Sequence, residues 1–303
     1  MKQAIELRRR ALHPGAMIDG ERPGHGTGLR LWAEHLLVSR GERDEARLEQ
    51  LIRESSPVTR ANVIGVISPK GGVGKTTSAF VVGNLLADRL RIRTVAVDAN
   101  PDFGTLGSLA PDRVRTARSL TDLLSEFESV HTAADARRYM STLRTGLHLL
   151  AAPSDAQRMD TLGPDSYGAL LGLLSIFYEV ILLDLGTGVA GALAQFAIER
   201  ADQMVLVSTP EWVTSTAVLA ALAHLRHECT TVVVNKVQAS GVGDLHRLEG
   251  ELRERRLHRP IVVPYDEQLA GMLDTGTYEL DALKRPTRLA LKRVGLAVVD
   301  QLV

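Results

Sequence analysis

Residues 70–77 read KGGVGKTT, set between an apolar run at 63–67 (VIGVI) and a segment with helical spacing at 76–90. Gly71, Gly72 and Gly74 can take backbone angles closed to other residues, so successive N–H groups can turn inward around phosphate oxygens. A helix opening near Lys75 adds its positive end to the same site. Lys75 is then placed to reach β- and γ-phosphates, and the Thr76 hydroxyl, with Thr77 beside it in the binding segment, to ligate Mg²⁺. A glycine-rich turn with an incidental lysine is the plain alternative, and the position after a buried strand and before a helix argues against it.

Outward from this loop the chain repeats a strand, loop, helix rhythm. The runs 63–67, 94–97, 147–151, 180–183, 204–207, 231–234 and 261–263 are short and apolar, all but 147–151 rich in β-branched residues, as fully buried strands of a parallel sheet are. Helical spacing fills 76–90, 214–227 and 245–256 between them. The alternation predicts an α/β fold: a doubly wound, mostly parallel sheet with helices on both faces, whose ligands bind at the carboxyl ends of the strands.

With 303 residues and 45% apolar content, one large α/β domain plus an appendage is expected. Lys+Arg and Asp+Glu are both 36, so any contact with a polyanion must be a local patch. The single cysteine, Cys229, reads as packing material and suits a reducing cytoplasm. No secretion signal and no apolar stretch of ~18 residues is found, and a cytoplasmic location is expected.

Composition shifts near residue 60, which divides the chain into an extension at 1–60 and the α/β domain at 61–303. Seven glycines and prolines between 14 and 28 read as a mobile linker. Two short helices are predicted at 31–40 and 42–55, the second with Leu48, Leu51 and Ile52 on one face. Helices this short need tertiary contacts, so docking on the following domain or on a partner is expected.

In the phosphate loop, Pro69 stands where the general pattern has its first glycine, and a second lysine, Lys70, precedes the glycine pair. Here the sequence resembles the MinD/ParA superfamily of P-loop NTPases, whose deviant loop reads KGGxGK[ST]; the likeness covers about 61–303. The resemblance implies ATP and Mg²⁺ as ligands. It also implies an ATP-dependent homodimer, because the family lysine matching Lys70 reaches the nucleotide of the other subunit.

Further matches follow in order. Residues 95–101 read VAVDANP, with Asp98 at the family's first-switch aspartate. Asn100 stands where the family has a second acidic residue that helps position the attacking water. An amide can hold water but cannot accept its proton, and Asp102 is near enough in sequence to substitute. Residues 180–188 read VILLDLGTG; Asp184 is placed to hold Mg²⁺ with Thr76 and Asp98, while Gly186 and Gly188 permit a switch. In VVVNK (232–236), Asn235 matches a family asparagine that contacts adenine, and IVVPYD (261–266) puts Pro264 and Asp266 in the family's stretch beside the base. Lys236 is followed by Val237 and Gln238, so no guanine-specific NKxD occurs and ATP is expected over GTP.

Other constellations carry less. His224 and His227 share a helical face without a third ligand, which favours a surface or packing role over a metal site. The run 253–259 (RERRLHR), with Lys284, Arg285, Arg288, Lys292 and Arg293, is either a solvated helix face or a patch for DNA backbone or anionic lipid. The amphipathic stretch 287–303 suits a closing helix packed on the sheet better than a membrane-surface helix. At the N-terminus, Gln3, Ala4, Leu7 and Arg8 match part of the DQAxxLR element of FlhG, a flagellar branch of the same family, with Lys2 at the aspartate; a match this short reads as coincidence.

The expected function is an ATPase that dimerises on ATP and releases on hydrolysis, positioning or partitioning a large cargo. Lys70, Lys75, Asp98, Asn100 and Asp102 are the candidate catalytic residues, with slow turnover raised by an activating protein partner. Non-specific DNA stays open as the surface used, ahead of a membrane. The rival is an ATP-binding scaffold or regulator with little or no hydrolysis, acting through its N-terminal segment, and Asn100 keeps it alive.

Overall fold

Alternation fixes which way each strand faces. Along β1 (Asn62–Ser68), Val63 and Ile67 enter one hydrophobic core while Ile64 and Val66 enter another, so both faces of the strand are buried. The computed structural model describes residues 42–303 except 56, 101–103, 226–228, 239–241 and 256. The linker expected at 14–28, the helix expected at 31–40, the FlhG-like residues, Asp102 and His227 lie outside the described residues.

The other strands are β2 (Thr94–Ala99), β3 (Ser141–Thr142), β4 (His148–Leu150), β5 (Val180–Thr187), β6 (Gln203–Ser208), β7 (Thr230–Val237) and β8 (Ile261–Pro264). They form one sheet in the order β3-β4-β2-β5-β1-β6-β7-β8. Every pairing is parallel except β3 with β4. The seven expected strands are all present. β3 is an addition: two residues folded back on β4 through a turn in which Gly146 takes φ +94.

The principal helices are α1 (Glu42–Arg53), α2 (Lys75–Arg89), α3 (Pro164–Phe177), α4 (Ala192–Arg200), α5 (Trp212–Ala221), α6 (Val242–Glu254), α7 (Glu267–Thr275) and α8 (Arg285–Val299). Helices α3 to α6 pack against one face of the sheet, and α2, α7 and α8 against the other. This is the doubly wound arrangement, and it sets the carboxyl ends of the seven parallel strands along one edge. α2 and α8 approach closely, because a Cβ on Gly295 would lie 2.7 Å from Leu85.

α5 is shorter than the spacing suggested. It ends at Ala221, followed by a single 3₁₀ turn at Leu222–His224, because the chain must reverse to enter β7 at Thr230. Leu222 and Leu225 are buried in this turn.

α1 spans Glu42–Arg53 and docks on α8. Leu48, Leu51 and Ile52 are buried against the core of that face, a contribution of ~2 kcal/mol for each large aliphatic side chain. Glu45 accepts from Arg288 and from Lys292 at 2.6 Å, and Glu49 accepts from Lys292 at 2.6 Å. The basic residues at 288–293, read from sequence as a solvated helix face or a patch for a polyanion, are not an open surface: Arg288 is paired, and Lys292 and Arg293 are 2% and 9% exposed. Arg255 likewise donates to the Leu219 carbonyl at 3.0 Å.

Candidate functional site

The loop between β1 and α2 is shaped by its own short contacts. The Ser68 hydroxyl donates to the Lys70 carbonyl at 2.9 Å and accepts from the Lys70 amide at 3.2 Å, closing a turn around Pro69. Gly72 and Gly74 take φ +75 and +100, and Gly74 caps α2 from the left-handed region. A side chain is excluded there on a second ground: a Cβ on Gly74 would lie 2.2 Å from the Asn235 amide nitrogen. Gly71 and Gly72 are exposed, Val73 is buried, and Thr77 lies half-buried in the first turn of α2, lining a small cavity with Asn235.

Three of the expected side chains meet beneath the loop. Thr76 donates to Asp184 Oδ2 at 2.6 Å, and Lys75 Nζ lies 3.8 Å from Asp184 Oδ1. Asp98 and Asp184 are register partners on the adjacent strands β2 and β5, both almost wholly buried. Burial, reinforced by the neighbouring Asp184 carboxylate, pushes Asp98 up to about 7 against the opposing backbone amides of Leu106, Asn100 and Gly107. Burial also raises Asp184, opposed by Lys75 and the Thr76 hydroxyl. Asp184 Oδ1 is buried without a hydrogen-bond partner among the described residues. A hydroxyl, a carboxylate with an unused oxygen and a second carboxylate alongside form a donor set that fits Mg²⁺, which takes few protein ligands and completes its shell with water and phosphate oxygens. No group of three or more His, Cys, Asp or Glu side chains placed to hold a metal ion occurs among the described residues.

Two loop segments flank this pair. Asn100 follows β2, half-buried, with its amide donating to Asp98 Oδ1 at 3.4 Å. After β5, Gly188 takes φ +87 and donates its amide to the Ser68 carbonyl at 2.9 Å, while the Gln195 side chain donates to the Val189 carbonyl. Lys70 is exposed, and its ammonium lies 3.4 Å from the Thr214 hydroxyl on α5, beside Val213, which is 71% exposed.

On the far side of the loop, Asn235 Nδ2 donates to the Val73 carbonyl at 3.0 Å, tying the end of β7 to the loop backbone. Pro264 closes β8. Asp266 caps α7, accepting from the Gln268 amide at 3.0 Å and from the Lys284 amide at 3.2 Å. Its carboxylate is thus engaged with backbone, whereas Tyr265 next to it is 46% exposed. Sequence reasoning missed Lys236, whose ammonium donates to the Gly72 carbonyl at 2.7 Å, and Thr214 as the neighbour of Lys70. Neither residue carries a motif of its own; Lys236 stood in the sequence only as the residue after Asn235.

Residues 64–277 match the CobQ/CobB/MinD/ParA nucleotide binding domain. The secretion-associated protein EspI of the Mycobacterium tuberculosis ESX-1 system is 27% identical over 242 residues, covering 75% of this chain and 35% of EspI. The septum site-determining protein MinD of Synechocystis is 26% identical over 149 residues, 49% of this chain and 53% of MinD. The chain therefore spans about a third to a half of the length of these relatives. Among solved structures, a ParA family ATPase from Chlorobium tepidum has a TM-score of 0.64 at 20% identity, covering 79% of this chain and 98% of that one. MinD of Pyrococcus horikoshii, solved with Mg-ADP, has a TM-score of 0.60 at 21% identity, covering 78% and 94%.

Proposed function

Because the chain belongs to the CobQ/CobB/MinD/ParA nucleotide-binding family, we propose that it binds ATP with Mg²⁺, dimerises on the nucleotide, and releases on hydrolysis, positioning a large assembly in the cell. The observation that carries this reading is the meeting of Thr76, Lys75 and Asp184 beneath a loop whose glycines take positive φ, with Asp98 in register alongside. Lys75 neutralises phosphate charge, and the loop amides and the N-terminus of α2 orient the phosphates. Bound Mg²⁺, held through Thr76, Asp184 and Asp98, would supply charge stabilisation at the β- and γ-phosphates. Lys70 is exposed and, among the described residues, its side chain is held by the long contact to Thr214 alone, so it is available to a second copy. The EspI likeness, broader on this chain than the MinD likeness, favours a secretion apparatus as the cargo. No helix among the described residues is long and apolar enough to cross a membrane, and the reading is of a cytoplasmic protein.

Asn100 supports a second reading, in which the nucleotide is bound and barely hydrolysed, because an amide cannot accept the proton of the attacking water. Binding of a fluorescent ATP analogue, light scattering with and without ATP, and phosphate release, all on the full chain, decide between them. Lys75→Ala is expected to weaken ATP binding roughly a hundredfold, the scale of losing a charge-assisted phosphate contact. Wild-type affinity in that variant, or a chain that stays monomeric at saturating ATP, would overturn the proposal.

A further inference from the structure

β7 ends irregularly. Its register against β8 shifts between Val234 and Val237, and Lys236 takes φ +57, a conformation disfavoured for a residue with a Cβ. In a regular strand successive side chains point to opposite faces. Here two successive side chains reach the same loop: Asn235 donates to the Val73 carbonyl at 3.0 Å, and Lys236 to the Gly72 carbonyl at 2.7 Å. Gly74 has to be glycine for Asn235 to come so near. A left-handed residue that persists at a candidate site is held there by its surroundings, and at β7 the two side-chain contacts to the loop are what it makes possible.

The clamp acts on the part of the loop that matters for anions. In a planar trans peptide the carbonyl and the following N–H point in opposite directions. Fixing the carbonyls of Gly72 and Val73 therefore fixes the N–H directions of Val73 and Gly74, two donors of the phosphate cradle. We propose that Lys236 is a positioning residue for the nucleotide phosphates, orienting the Val73 and Gly74 amides together with Asn235 and so coupling the end of β7 to the phosphate loop. This rests on the loop's role as a phosphate cradle. Holding both carbonyls in advance lowers the ordering cost of binding, and the ammonium adds positive charge beside the loop.

The test is competition binding of ADP and ATP to the full chain and to its Lys75→Ala, Lys236→Met, Lys236→Arg and Lys236→Gly variants, with melting temperatures alongside. Lys236→Met is expected to weaken both nucleotides roughly tenfold, the scale of one charged hydrogen bond, with melting unchanged within a few degrees; Lys236→Arg should recover most of the loss. Lys236→Gly is the deciding variant, since it relieves the left-handed backbone while removing the amine. Binding as weak as that of Lys236→Met supports positioning by the side chain. Wild-type binding by either variant overturns it, as does a loss that merely follows a fall in melting temperature. If the wild type binds nucleotide no better than Lys75→Ala, the cradle reading itself fails, and the inference with it.

Discussion

Thr76 donates its hydroxyl hydrogen to Asp184 Oδ2 at 2.6 Å, while the other oxygen of that carboxylate is buried without a hydrogen-bond partner among the described residues. A buried carboxylate raised by desolvation and only partly compensated by Lys75 is unfavourable in the empty chain, and a divalent cation relieves it. Stability and ligand binding therefore oppose one another at this position. Asp184→Asn should raise the melting temperature of the nucleotide-free chain by a few degrees while abolishing the dependence of ADP affinity on Mg²⁺. Thermal melts and binding with and without EDTA read both effects; a variant that keeps its Mg²⁺ dependence removes Asp184 from the metal site.

Lys70 contacts Thr214 at 3.4 Å, at the long end of hydrogen bonding, and the side chain is exposed, so leaving Thr214 costs little. Lys70→Ala should abolish ATP-dependent dimerisation while holding ATP affinity within about threefold, because Lys75 remains. Val213→Glu, which puts a charge on the exposed neighbour of Thr214, should block dimerisation as well. Light scattering at saturating ATP checks both, and an ATP-dependent dimer in Lys70→Ala would leave the lysine without its intersubunit role.

Much of this was legible because it is local. A phosphate loop is one contiguous segment, and buried parallel strands write themselves as short β-branched runs, so 63–67 and 180–183 matched β1 and β5 to within a few residues. What stayed hidden depends on distant partners. Arg288 and Lys292 looked like a cationic face because their charges are visible in sequence, whereas Glu45, 243 and 247 positions away, is not visibly theirs. β3 has two residues and no period to read. The reach of Lys236 to Gly72 follows from a register shift and a positive φ, neither of which composition encodes.

Asn100 lies one residue beyond β2, its backbone tied to Asp98. If the amide limits the proton transfer of hydrolysis, Asn100→Asp should raise single-turnover cleavage by about tenfold or more, the lower range for a positioned general base. Nucleotide affinity should hardly change, since the substitution leaves the loop intact. Rapid-quench measurement with excess enzyme is the check, and an unchanged rate would show that Asn100 does not limit the reaction.

The docking of α1 joins an apolar stripe to a buried ion cluster. Lys292 is 2% exposed and held by Glu45 and Glu49 at 2.6 Å each, so removing one glutamate leaves a buried ammonium with a single partner. Glu45→Ala should therefore cost about 2 kcal/mol, whereas Lys292→Met, which removes the charge and keeps the bulk, should be near neutral. The Arg288 guanidinium, with Lys292, holds the Glu45 carboxyl at about 2, below its ordinary 4.5. A carboxylate lowered in the folded state stabilises fully above its unfolded value and loses that contribution as pH falls toward the folded one. Protection of the 42–53 amides from hydrogen exchange, corrected for intrinsic rates, should hold from pH 7 to about 5 and decline between about 4.5 and 2. In Glu45→Gln the decline should be shallower and start from weaker protection. Identical profiles for the two proteins would mean that α1 is held by Leu48, Leu51 and Ile52 alone, with the charges adding nothing.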